Sequence, residues 1–205
     1  MSIFKKLYLW MLSWSDKPSG PVALGIFSFS EAIFFPIPPD TLLIPLALGK
    51  REKALYFAFI CSICSILGGT LAYTLGAWLW WEDLNLYSNF AKFFFDHIPG
   101  FTPAAFDRVK QLYDKYNFMI IFTAGFTPIP FKLFTISAGS FKINFPLFIL
   151  ASTLSRSARF FIVAFLIKLY GDPINYFIDK YFNIIAIVFT ILLFGGFALL
   201  NFILI

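Results

Sequence analysis

Of 205 residues, 60% are hydrophobic and only 13% charged, and the mean hydropathy is +0.80. Soluble domains carry about a quarter charged residues, so this composition excludes an ordinary soluble domain and leaves room for one integral membrane domain. The formal charge of +5 does not read as nucleic-acid binding, because basic loops of membrane proteins set orientation and touch anionic head groups.

The chain opens with Ile3-Phe4-Lys5-Lys6-Leu7-Tyr8-Leu9-Trp10-Met11-Leu12-Ser13-Trp14. Lysines beside a Trp/Leu/Phe face predict a short helix in the membrane interface, with a packing helix over the bundle as the alternative. Lacking a long apolar core and a small-residue cleavage site, it does not read as a cleavable signal. Residues 21–49 are a long apolar stretch broken by Pro36-Ile37-Pro38-Pro39-Asp40, with a lone Glu31 upstream. Helices do not run through such a cluster, because proline lacks the N–H and clashes with the preceding turn. Acids seldom sit in an apolar run, where an unpaired charge costs several kcal/mol.

Residues 54–81 form the first clear span, about 20 apolar residues being enough to cross a bilayer. Ser62, Ser65, Gly68, Gly69 and Thr70 let neighbouring helices approach closely, and Trp78, Trp80 and Trp81 close the span as an interfacial belt. Cys61 and Cys64 lie within it, spaced C-x-x-C. Without further ligands or an accessible thiolate they read as small packing residues, not as a redox or metal pair. Residues 82–117 are polar and amphipathic, with a helix predicted from Pro103, Thr102 at its cap, and Val109, Leu112 and Tyr113 on its buried side. His97, alone in this loop, carries no catalytic role.

Residues 118–140 hold a near-copy of the first break, Pro128-Ile129-Pro130-Phe131-Lys132, with a base where the first has an acid. Two further spans follow, 145–170 and 182–205, the last free of charge. The arms around each proline core are about 10–15 residues, too short to cross alone but long enough to reach mid-bilayer. Re-entrant hairpins follow, whose tips must be buried in protein or line a wet cavity. One span separates the hairpins, so they enter from opposite faces. The predicted fold is all-α integral membrane, an inverted repeat of re-entrant helical hairpin plus transmembrane helix, with an additional C-terminal transmembrane helix. Its single domain divides into 1–20 (interfacial helix), 21–81 (first hairpin plus span), 82–117 (amphipathic connection), 118–171 (second hairpin plus span) and 172–205 (C-terminal span). Lys5, Lys6, Lys17, Lys50, Arg51 and Lys53 flank the first hairpin, which places that side in the cytoplasm.

Ionisable residues at membrane depth are functional candidates: here Glu31, Asp40, Lys132, Arg156 and Arg159. Arg156 and Arg159, three apart, share a helix face and make a fork suited to phosphate or carboxylate. The structural alternative is an ion-pair network of these arginines with Glu31 and Asp40. Glu31 is positioned to carry protons, whereas Asp40 stands where it would either do the same or cap the second arm by accepting backbone N–H bonds. The hairpin-tip prolines Pro36, Pro38, Pro39, Pro128 and Pro130 break helices, and breaks at membrane depth expose N-termini that favour anions.

The residues from Glu31 to Asp40, the run Gly125-Phe126-Thr127-Pro128-Ile129-Pro130-Phe131-Lys132, Ala138-Gly139 and the Arg156/Arg159 span resemble the DedA family, also called the SNARE-associated or VTT-domain family. The likeness covers 21–171 and is nearest to small YqaA-like members. It implies paired re-entrant hairpins, a multi-pass location in the bacterial inner membrane, and translocation of undecaprenyl phosphate or another phospholipid, linked to the proton-motive force. Many members carry arginines bracketing the second proline motif, where this chain has Gly125 and Lys132.

The expected function is thus a transporter or flippase of an anionic lipid, with a lipid phosphate and protons as partners, homo-oligomers compatible with it, and no cofactor, metal or nucleic acid implied. A small-ion exporter or channel, or an intramembrane lipid-modifying enzyme, are the alternatives. The second is weakened because no G-x-S-x-G elbow or H-E-x-x-H pair occurs.

Overall fold

A computed structural model of the chain describes residues 14, 17–35, 37–83, 86–97, 102–116, 118–126 and 131–171. The expected interfacial helix and the C-terminal span at 182–205 fall outside the described residues, apart from Trp14 and the residues from Lys17 onward. So do the tip prolines Pro36, Pro128 and Pro130.

Both proline-broken stretches are pairs of short helices. Helix α1 (Ser19–Glu31) ends where three successive N–H groups, of Ile33, Phe34 and Phe35, converge on the Ser30 carbonyl at 2.9–3.1 Å. Helix α2 (Asp40–Gly49) restarts beyond the prolines. There the Pro38 carbonyl accepts from the Thr41 N–H and hydroxyl, and the Pro39 carbonyl from Leu42 and Leu43. A 3-10 turn, Arg51–Lys53, leads into α3 (Ala54–Leu79). Of its 26 residues, the outward ones (Phe59, Ile63, Leu67, Leu71) are as apolar as the inward ones, the mark of a helix with no aqueous face.

The all-α expectation needs one amendment. Past α3 the chain makes a two-stranded ribbon, β1 (Trp81–Asp83) antiparallel to β2 (Leu86–Tyr87). Trp81 and Tyr87 stack across it at 5.0 Å, an aromatic cross-strand pair of the kind that stabilises such ribbons. Helices α4 (Asn89–His97) and α5 (Pro103–Tyr116) follow. Trp80 is buried among Phe90, Phe94, Phe95 and Phe106. Thr102 caps α5 as predicted, its hydroxyl accepting from the Ala105 N–H at 3.1 Å. Val109 and Tyr113 are buried while Leu112 is half-buried.

The second pair is α6 (Phe118–Phe126) and α7 (Phe131–Ser140), every residue of α7 being buried. Helix α8 (Phe145–Gly171) has 27 residues and runs antiparallel to α3. Tyr73 packs on Phe148 at 4.9 Å, Ser65 meets Arg156, and Arg51 lies on Gly171. At 1.5 Å per residue the two long helices are each about 40 Å, enough for a hydrocarbon core of about 30 Å, whereas α1, α2, α6 and α7 are not.

The short pairs reach α3 from its two ends. Glycine makes this packing close: at Gly68 a side chain would strike the Phe29 carbonyl of α1, and at Gly76 the Ile136 carbonyl of α7. Two apolar cores result. One gathers α1, α2, the start of α3 and the end of α8 around Leu43, Leu46, Phe57 and Phe160. The other gathers α5, α6, α7, the end of α3 and the start of α8 around Trp80, Phe106, Phe131 and Phe148.

Candidate functional site

The five ionisable residues expected at membrane depth all lie where the two cores meet. Arg156 is 2% exposed, so its guanidinium must find compensation inside the protein. It donates through Nε to Ser65 Oγ at 2.7 Å and through NH2 to Glu31 Oε2 at 2.5 Å. The rings of Phe131 and Phe160 close over it, each centroid 4.9 Å from Cζ, adding cation–π attraction where water is excluded. One turn further along α8, Arg159 pairs with Asp40.

Asp40 does not cap its helix. Pro39 holds the N-cap position and no side chain bonds to the first-turn N–H groups. The carboxylate turns instead to the arginine, a full charge outcompeting backbone dipoles for an acid this deeply placed. Its other oxygen, Oδ1, is buried and has no hydrogen-bond partner among the described residues. Ser152 Oγ, on the α8 turn before Arg156, shares that condition.

Lys132 is 3% exposed and reaches across from the second pair to the first, donating to the Phe34 carbonyl at 3.1 Å. Its neighbour Thr135 donates to the Ala32 carbonyl at 3.4 Å. The carbonyls released where α1 stops are therefore taken up by α7, which is how the break after Glu31 is satisfied without water. The Glu31 carboxylate also acts electrostatically on Lys132. The structure thus brings Glu31, Lys132 and Arg156 together, with Asp40 and Arg159 as a neighbouring pair. Pro38 and Pro39 sit at the start of α2 between them.

The layer lies midway along the long helices. Ser65 and Arg156 are each eleven residues from the start of their helix, about 16 Å along and within about 4 Å of its midpoint. Three side chains around Arg156 were not singled out from sequence as site residues. Ser65 was visible only as one of several small residues, Phe131 only as an apolar member of the second proline motif, and Phe160 carries no charge or motif to mark it. Gly125 packs against Ser155 so closely that any β-carbon would overlap its hydroxyl.

The two cysteines play the packing role expected of them. Cys61 is buried, its carbonyl accepting from Ser28 Oγ at 2.8 Å, and Cys64 sits against Gly25. No cluster of metal-ligating side chains occurs among the described residues. His97 is exposed and stacked on Phe93.

The VTT domain matches residues 35–169, which takes in the second arm of the first pair, α3, the second pair and nearly all of α8. An uncharacterized protein of Haemophilus influenzae is 35% identical over 166 residues, 80% of each chain. An uncharacterized homologue in Histophilus somni is 34% identical over 171 residues, 81% of this chain and 82% of its own. One from Methanocaldococcus jannaschii is 28% identical over 160 residues, 78% of this chain and 88% of its own. No solved structure matches the chain. With a mid-depth ionic layer between two membrane-length helices and the domain covering well over half its length, this chain belongs to the VTT-domain, or DedA, family of membrane proteins.

Proposed function

We propose that the protein carries an anionic lipid phosphate across the bacterial inner membrane, its two short helix pairs acting as re-entrant hairpins of an inverted repeat. The observation that supports this reading is the ionic layer at mid-depth. It holds three cations, Lys132, Arg156 and Arg159, against two carboxylates, Glu31 and Asp40, leaving one positive charge in excess. A monoanionic head group balances that excess, and a dianionic one does so once a carboxylate is protonated.

Arg156 and Arg159 are engaged by carboxylates, so a phosphate must displace one of them or arrive after it is neutralised. Protonating Glu31 or Asp40 abolishes the attraction that holds its arginine, and the guanidinium fork then faces the phosphate oxygens. Glu31 and Asp40 accordingly act as the gate, and the arginines with Lys132 as the head-group grip. Proton entry and lipid movement become coupled because one event frees the site for the other.

Glu31→Gln tests this reading. In proteoliposomes it should still insert, with a lowered thermal midpoint because Arg156 loses its counter-charge, and lose flipping of labelled undecaprenyl phosphate and phosphatidylglycerol, compared with and without a pH gradient. Normal flipping by that variant would sink the proton gate. Currents without lipid movement would favour the small-ion alternative, for which a satisfied ion-pair layer between two cores is equally suitable.

A further inference from the structure

Each short helix pair is packed on α3 by its own glycine contacts, the first at Gly68 and the second at Gly76 and Gly139. Where the pairs meet one another, the bonds are of a different kind. Helix α1 ends on the Ser30 carbonyl, so the carbonyls just beyond it lack intrahelical donors. Lys132 Nζ donates to the Phe34 carbonyl at 3.1 Å, and Thr135 Oγ1 to the Ala32 carbonyl at 3.4 Å. Ala32, Lys132 and Thr135 are all buried, so this seam is held by α7 and not by water.

Both donors have a second acceptor within reach. A threonine hydroxyl holds one proton, and Thr135 Oγ1 also lies 3.1 Å from the Lys132 carbonyl of its own helix. It can turn inward without losing a hydrogen bond. Lys132 stands in the first turn of α7, the end of a helix that favours anions. An ionised acceptor binds a cation about twice as strongly as a neutral one does. A phosphate reaching the ionic layer therefore outcompetes the Phe34 carbonyl for the Lys132 ammonium. We infer that the Lys132 and Thr135 bonds form a latch between the two helix pairs, opened when a lipid phosphate draws Lys132 off the Phe34 carbonyl. The inference rests on the head-group grip proposed above. Once released, the Ala32 and Phe34 carbonyls need water in place of α7, so opening the seam and wetting it are one event.

Amide hydrogen exchange, read by mass spectrometry on the full chain in detergent, tests the latch with phosphatidic acid, phosphatidylcholine or inorganic phosphate supplied. In wild type, phosphatidic acid should speed exchange in 31–35 and 131–136. The expected factor is about tenfold or more, as for loss of one hydrogen bond from a charged donor. Residues 105–113 of α5 should not respond, and phosphatidylcholine and inorganic phosphate should leave the latch closed. Thr135→Val should speed the latch segments without lipid and keep the response to phosphatidic acid. Lys132→Met should exchange fast without lipid and respond no further. Latch segments of wild type that ignore phosphatidic acid, a Lys132→Met variant that still responds, or variant exchange that quickens equally in 105–113 each overturn the latch. An equal response to inorganic phosphate overturns the lipid as its trigger. Flipping assayed on the same proteins separates the two readings. Lipid-driven opening without flipping refutes transport and leaves the latch, whereas flipping without opening refutes the latch.

Discussion

At the scale of single residues the molecule turns on Arg156. Its guanidinium is bonded to a serine and a glutamate, roofed by two phenyl rings and shielded from water. Removing one partner of such a pair strands a buried charge and costs about 3–5 kcal/mol, whereas replacing both by apolar side chains is often neutral. Arg156→Ala should therefore lower the thermal midpoint in detergent strongly. Arg159→Ala should do so less, because that pair is more exposed. The Glu31→Leu/Arg156→Leu double variant should recover most of the lost stability while flipping nothing. A double variant that is stable and transports would show the pair to be architecture alone. The presence and depth of these charges were legible in the sequence, since few residues at membrane depth are ionisable. Which arginine meets which acid was not, because the pairing is set by how two helix ends some 120 residues away are brought alongside α8.

Helices come next, and there small residues decide. Gly139 of α7 lies against the backbone of Tyr73 and Ala77 on α3, leaving no room for a β-carbon. Gly69, one face away, would place a β-carbon 3.4 Å from Phe131 and 3.6 Å from Thr135, an ordinary contact. Gly139→Ala should accordingly destabilise by about 1–3 kcal/mol through overpacking, and Gly69→Ala should be neutral or slightly stabilising, both read from thermal unfolding in detergent. Equal effects would show that the close approach of α7 to α3 is not what the glycines secure. The helix breaks, the long spans and the Thr102 cap were readable because proline, apolar length and capping chemistry are local signals. The ribbon of Trp81–Asp83 with Leu86–Tyr87 was not. Its residues continue the aromatic run that ends α3, and the antiparallel pairing and the stacking of Trp81 on Tyr87 that make it a ribbon are contacts across a turn.

For the molecule as a whole, the two short pairs packing from opposite ends of α3 imply a sidedness that labelling can read. In a background with Cys61 and Cys64 replaced by serine, Lys53→Cys and Asp107→Cys should react with a membrane-impermeant maleimide from opposite sides of oriented vesicles. Both positions are exposed. Labelling of both from one side would exclude the inverted arrangement. The two pairs of short helices were legible because two proline cores recur with opposite charge, but the joining of the pairs was hidden. It consists of the Phe34 and Ala32 carbonyls accepting from Lys132 and Thr135, and backbone acceptors leave no trace in a side-chain pattern.

The mid-depth position of the Glu31–Arg156 and Asp40–Arg159 pairs also has an electrical meaning. While each arginine sits on its carboxylate, the layer presents little net dipole to the voltage across the membrane. In the proposed mechanism a proton or phosphate that parts them displaces charge along the field, and a full crossing at 100 mV is worth about 2.3 kcal/mol per elementary charge. A half-crossing from this layer draws about half of that. The same pairs that hold the helices together therefore set how strongly the membrane potential drives or opposes their separation.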